Sequence, residues 1–178
     1  VYVSLSGKIE SLTIDDCIFI GADNSTTNKA IYASSAHTQV ETLSVTNSTF
    51  LNFNTGSNYF FRINCGEELV LMPVVLIDHC TFYNCYDRRG VYLYNAGRST
   101  IKNCISAFSE RRDDTKSFTA YGDESIVKNV ISYNVDLYGS APKENIISKN
   151  PLFVDAENGN FQLYKDSPAV GAGDDGSD

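Results

Sequence analysis

Residues Val75–Cys85, VLIDHCTFYNC, are written several times over along this chain. Upstream, residues 43–52 read LSVTNSTFLN and residues 12–21 read LTIDDCIFIG; downstream, 99–108 read STIKNCISAF and 125–134 read SIVKNVISYN. In register, Ile14, Val45, Ile77, Ile101 and Val127 form one column. Cys17, Ser48, Cys80, Cys104 and Val130 form the column three residues on, and Phe19, Phe50, Phe82, Ser106 and Ser132 the column two beyond that. A polar column, Asp16, Asn47, His79, Asn103 and Asn129, precedes the cysteines, and Asn52, Asn84 and Asn134 make a second one after the phenylalanines.

Within the unit, apolar residues alternate with period two around Ile77 and again from Cys80 to Phe82, so alternate side chains point inward as in a strand. Between Ile77 and Cys80 the period slips by one. A single left-handed residue makes such a corner, and Asn and Asp tolerate that conformation best among residues with a side chain. The column Asp16, Asn47, Asn103, Asn129 fits that role, with His79 standing in for Asn. No helical spacing of apolar residues persists through the unit, and the Leu-x-x-Leu-x-Leu frame of leucine-rich repeats is absent.

The repeats recur at intervals of 31, 32, 24 and 26 residues, measured on the cysteine column. Units this short cannot bury their own apolar face and must stack. Strand–corner–strand units stacked in parallel predict an all-β, single-stranded, right-handed parallel β-helix of about five turns. At about 4.8 Å per turn, these span roughly 24 Å. Residues 1–149 are read as the turns and 150–178 as a closing segment with an acidic tail. The pattern lapses after Val135, and Pro142 and Pro151 argue against a central strand there. Phe153, Phe161, Leu163 and Val170 are expected to cover the last turn, and the Gly-rich residues 171–178 to be floppy.

The pattern I-x-[DN]-C-x-F-x-N resembles the parallel β-helices of the pectin-lyase-like superfamily. Asn150–Asp175, NPLFVDAENGNFQLYKDSPAVGAGDD, is similar to the closing segment of many secreted β-helix proteins that bind or cut polysaccharides. More narrowly, the chain resembles surface proteins of polysaccharide-degrading Bacteroides-type bacteria that carry domains of unknown function. The resemblance implies a secreted or cell-surface location and a glycan partner. It does not choose among lyases, hydrolases and binding proteins, all of which use this fold.

No stretch of sequence approaches the run of about 20 apolar residues that a membrane span needs. Val1 opens directly in a strand pattern, which makes a missing N-terminal part of the same protein an expected partner. Of five cysteines, Cys17, Cys80 and Cys104 fall in an inward column and are expected as buried thiols. Stacked inward residues have roughly parallel Cβ vectors, so only Cys65 and Cys85 are left as a possible bridge. His37 is read as a solvated loop residue.

The net charge of −8 argues against nucleic acid as a partner. Residues 88–128, however, hold eight basic groups (Arg88, Arg89, Arg98, Lys102, Arg111, Arg112, Lys116, Lys128) and five acidic ones, a local +3. Arg88 lies eight residues after Cys80 and Arg112 eight after Cys104, which predicts neighbours on adjacent turns. Such a patch attracts an anionic ligand, here an acidic polysaccharide. β-Elimination on a polyuronate needs a cation against the carboxylate and a base for the α-proton. Arg88, Arg89, Arg111 and Arg112 are the candidate catalytic cations, with Arg98, Lys102 and Lys116 binding substrate. Asp113 and Asp114 are candidate Ca²⁺ ligands. The polygalacturonase motifs Asn-Thr-Asp, His-Gly and Arg-Ile-Lys are missing, and only Asp113-Asp114 matches its Asp-Asp. The alternative is a non-catalytic carbohydrate-binding or structural module. Its stacking surface would be tyrosines, chiefly the outward Tyr83 and Tyr133 with Tyr86, Tyr92, Tyr94 and Tyr121.

Overall fold

The computed structural model describes residues 3–4, 8–22, 29–33, 39–53, 59–64, 73–94 and 96–176. The loop carrying His37, the excursion at 65–72 and Cys65 lie outside the described residues. In chain order the strands are β1 (Val3–Ser4), β2 (Lys8–Asp15), β3 (Ile18–Ile20), β4 (Ile31–Ala33), β5 (Gln39–Thr46) and β6 (Thr49–Leu51). They continue as β7 (Phe61–Ile63), β8 (Val74–Asp78), β9 (Thr81–Tyr83), β10 (Val91–Leu93), β11 (Arg98–Ala107) and β12 (Lys116–Ala120). The last are β13 (Ile126–Tyr133), β14 (Asp136–Tyr138), β15 (Lys143–Ile147), β16 (Phe153–Asp155) and β17 (Asn160–Leu163).

Two parallel ladders coil these strands into a solenoid. The first runs β1-β4-β7-β10-β12-β14. The second runs β2-β5-β8-β11-β13-β15, with the short strands β3, β6 and β9 continuing it beyond the corner. The solenoid has about four turns rather than the five counted from the repeats. The turns from β4 to β13 carry both ladders fully, whereas the first repeat is completed only by the two-residue β1. The only helical element among the described residues is a single 3-10 turn at Ala156–Asn158. None of the described helices is long and apolar enough to cross a membrane.

The aligned columns are neighbours in the ladder: Ile14 pairs with Val45, Val45 with Ile77, Ile77 with Ile101, and Ile101 with Val127. All five are buried. Phe19, Phe50 and Phe82 stack nearly parallel, with ring centroids 4.8 and 4.9 Å apart. Such pairs add about 1 kcal/mol each beyond their burial. The corners are left-handed as expected, with φ of 50° at Asp16, 49° at Asn47, 52° at His79, 51° at Asn103 and 50° at Asn129. Amides along the corner column bond to one another: Asn129 Nδ2 donates to Asn103 Oδ1 at 3.3 Å and Asn145 Nδ2 to Asn129 Oδ1 at 3.0 Å.

Cys80 and Cys104 are buried free thiols, while Cys17, in the incomplete first repeat, is half-exposed. Cys85, the described member of the one possible bridge, is also a free thiol; its Sγ donates to the Phe50 carbonyl at 3.3 Å. Burial pushes the Cys85 and Cys104 thiols above their ordinary values.

Three expectations for the C-terminal part need correction. The coil does not lapse after Val135, since β14 and β15 add another parallel rung. Pro142 is compatible with it because β15 is an edge strand and the Pro142 carbonyl accepts from Val127 N–H at 2.9 Å. The closing segment does not cap the last turn. Its antiparallel hairpin β16–β17 instead lies along the flank, where Phe153, Phe161 and Leu163 pack on Tyr83, Ile105, Ala107 and Ile131 from three successive turns. The acidic tail is anchored as well, because Asp174 bonds to Lys102, Lys128 and Asn103.

Candidate functional site

The outer face of the first ladder carries a column that the main repeat does not reveal. Its strands are apolar–X–apolar triplets, IYA, FRI, VYL and FTA, whose flanking residues are buried. The middle residues point out and lie side by side: Tyr32 beside Arg62, Arg62 beside Tyr92, Tyr92 beside Thr119, and Thr119 beside Tyr138. Tyr59, Tyr94 and Tyr121 flank them. Ring centroids are 4.8 Å apart for Tyr59–Tyr92, 5.9 Å for the stacked pair Tyr92–Tyr94 and 5.3 Å for Tyr94–Tyr121.

At the C-terminal end of this face a groove of about 350 Å³ opens between turns. Arg88, Arg89 and Lys116 line it together with Asp114, Thr119, Tyr121 and Tyr138. Their convergence has a backbone cause. Lys116 N–H donates to the Asp87 carbonyl at 3.1 Å, which sets the 85–90 bend beside the start of β12. Gly90 completes the bend at φ 58°, where a Cβ would meet the Ser117 carbonyl oxygen at 2.1 Å. No other residue fits there. Thr119 Oγ1 is buried in this setting without a hydrogen-bond partner.

The expected basic band therefore divides. Arg88 is exposed, Arg89 is half-buried, and neither has an ion pair to a carboxylate among the described residues. Lys116 comes alongside the 85–90 bend through its hydrogen bond to Asp87, while the 109–112 loop lies against Tyr86. Arg111 Nη2 bonds Asp136 at 2.8 Å, and that carboxylate holds its guanidinium pKa above the ordinary value. Arg112 pairs with Glu110 and lies 3.8 Å from the centre of the Tyr86 ring. Arg98 faces Glu124 at 3.8 Å. Lys102 is held between Asp78 at 3.3 Å and Asp174 at 3.1 Å. Lys116 combines both roles, lining the groove while standing 3.5 Å from Asp136.

Asp113 and Asp114 turn to different surroundings. Asp113 turns to Arg111 at 3.5 Å while Asp114 faces the groove, and no group of three or more His, Cys, Asp or Glu side chains gathers among the described residues.

Tyr83 and Tyr133 do leave the coil on its outer side, but the closing hairpin covers them. Tyr83 is 8 % exposed and donates through Oη to Glu157 Oε1 at 2.6 Å. Burial, with Glu157 beside it, raises the Tyr83 phenol above its ordinary value. Tyr86 is likewise buried. Of the expected stacking surface, Tyr94 and Tyr121 share the groove's face, where Tyr32, Tyr59, Tyr138 and Arg62 join them; Tyr92 lies among them but is itself buried, at 6 % exposure.

No protein-family model matches this chain, and a search of curated proteins finds no match either.

Proposed function

We propose that this chain is a pectin-lyase-like β-helix that holds an acidic polysaccharide across the outer face of its first ladder. The observation that carries the reading is the groove in which Arg88, Arg89 and Lys116 meet Tyr121 and Tyr138. Sugar rings stack on aromatic faces through their C–H surfaces, and cations beside those faces recognise the acid group. A secreted or surface location belongs to the same reading. Cleavage by β-elimination is its catalytic extension. The α-proton must pass to a base as the bond to the leaving oxygen breaks, and Arg88, which no carboxylate pairs among the described residues, is the side chain to test.

The test is titration with polygalacturonate and alginate beside a neutral glucan. Each exposed cation contributes about 1 kcal/mol or less, so binding is multivalent and weakens with salt. Arg88→Ala/Lys116→Ala is expected to weaken binding about tenfold, and Arg111→Ala/Arg112→Ala to leave it nearly unchanged. Equal loss in both variants, or preference for the neutral glucan, overturns the reading. Ultraviolet absorbance of unsaturated uronate, followed with calcium and with chelator, separates a lyase from a binding module.

A further inference from the structure

Arg62 occupies the middle of the outward column, on β7, between Tyr32 and Tyr92. Its guanidinium carbon lies 4.5 Å from the Tyr59 ring centre and 5.9 Å from that of Tyr92. The Arg89 guanidinium lies 5.4 and 5.0 Å from the same two rings. Two cations thus share one aromatic platform, and among the described residues no ion pair joins either to a carboxylate. The ring faces, and the buried Asp87 carboxylate that accepts from the Arg89 backbone N–H at 3.4 Å, offset part of the mutual repulsion, and an anion from outside would offset more of it. This arrangement stands out in a chain with 22 acidic side chains and a net charge of −8.

The geometry also discriminates among anions. A carboxylate pairs best with a guanidinium in a two-point fork. Arg62 cannot offer the Nε side of that fork, because its Nε is sealed from solvent and has no hydrogen-bond partner. Its Nη1 is already donating to Tyr32 Oη at 3.2 Å. What remains is an end-on donor, with Arg89 approaching from the next turn. A sulfate ester has three terminal oxygens in a tetrahedral array, so it can accept single bonds from two separate guanidiniums at once. A planar carboxylate makes no Nε fork with Arg62, and in bridging the two cations it gives one oxygen to each and has no third to offer.

We propose that Arg62 and Arg89, held against Tyr59 and Tyr92, form a sulfate-ester subsite, and that the glycan bound on this face is sulfated. This rests on the reading of the face as an acidic-glycan binder, which it deepens. The full chain is titrated at constant ionic strength with dextran sulfate, with carboxymethyl-dextran of matched charge density, and with neutral dextran. One charged hydrogen bond more in the sulfated complex predicts a preference of about tenfold for dextran sulfate. Arg62→Gln removes that preference, weakening dextran sulfate binding about tenfold more than carboxymethyl-dextran binding. On the wild-type chain, sodium sulfate displaces bound dextran sulfate more effectively than sodium acetate at equal ionic strength, a readout that needs no variant to fold. Equal affinity for the two charged dextrans, or a preference that survives in Arg62→Gln, overturns the subsite. If polygalacturonate still binds in that case, the subsite alone falls; if no polyanion binds, the glycan reading falls with it.

Discussion

Asn103 holds three parts of the molecule together from one corner. At φ 51° its backbone makes the bend in β11. Its Nδ2 donates to Asp78 at 2.9 Å and to Asp174 at 2.8 Å, and its Oδ1 accepts from the Asp174 amide at 3.0 Å. Two substitutions separate the backbone role from the side-chain role. Asn103→Gly loses the hydrogen bonds but keeps the conformation, whereas Asn103→Val loses both. The valine variant is expected to be less stable than the glycine variant by about 1–2 kcal/mol in urea unfolding, the cost of a left-handed side-chain-bearing residue. Equal stabilities would show that the corner conformation imposes no demand. The thiols give a second residue-scale expectation. In the native protein Cys17, half-exposed, reacts with a bulky thiol reagent before the buried Cys80, Cys85 and Cys104 do. Cys80→Asp, which puts a charge into that interior column, is expected to cost about 3 kcal/mol or more, or to prevent folding. Fast labelling of Cys80 would place the column on the outside.

Among the elements, the tail is the one that responds to pH. Hydrogen bonds from Asn103, Lys102 and Lys128 hold the Asp174 carboxyl well below the usual carboxylate range. The same contact with Asp174, with Asp78 beside it, raises Lys102 above its ordinary value. A depressed carboxyl contributes stability that is present above its unfolded value, about 3.9, and is lost as pH falls through the folded value. The raised lysine contributes fully below about 10.4 and loses its share as pH rises through its own folded value. The tail clasp is therefore firm from about pH 4 to pH 10 and weakens on either side. Amide chemical shifts of residues 171–176, followed through an acid titration, check this. They move as Asp174 protonates and stay put in Asp174→Asn. The clasp was hidden in the sequence because 71 residues separate Asp174 from Asn103 and no periodic signal links them. The added rung was hidden differently. Residues 144–148, ENIIS, match 128–132, KNVIS, at three of five positions, but at a spacing of 16 instead of the 24 to 32 of the other repeats.

For the whole molecule, what could be read from the chain was whatever the stacking repeats. Ile77 and Phe82 lie against the partners their columns name because each turn presents the same residue to the same neighbour. The corner amides were legible for the same reason. The candidate site was legible in pieces: Arg88, Arg89 and Lys116 were among the expected cations, but which cations keep a partner depends on loops that break the repeat. Arg111 and Arg112 lie in such a loop and hold carboxylates of their own. Tyr83 had the expected outward parity, and only the position of a hairpin 70 residues further on decides that it is covered. Arg62 went unnoticed because its significance lies in its rungmates, Tyr32 and Tyr92, rather than in its own repeat.

The flank hairpin has a mechanical side. Backbone hydrogen bonds between parallel rungs point along the solenoid axis. A load pulling the two ends apart therefore meets them singly, and rungs open like a zipper instead of shearing together. The hairpin packs on β9, β11 and β13 together, gripping Tyr83, Ile105 and Ile131 at once. It acts as a splint. Tension that would part these turns one at a time must first peel away a strip anchored to all three, so the toughest stretch of the coil is the one that also carries the Arg88 groove on its other face.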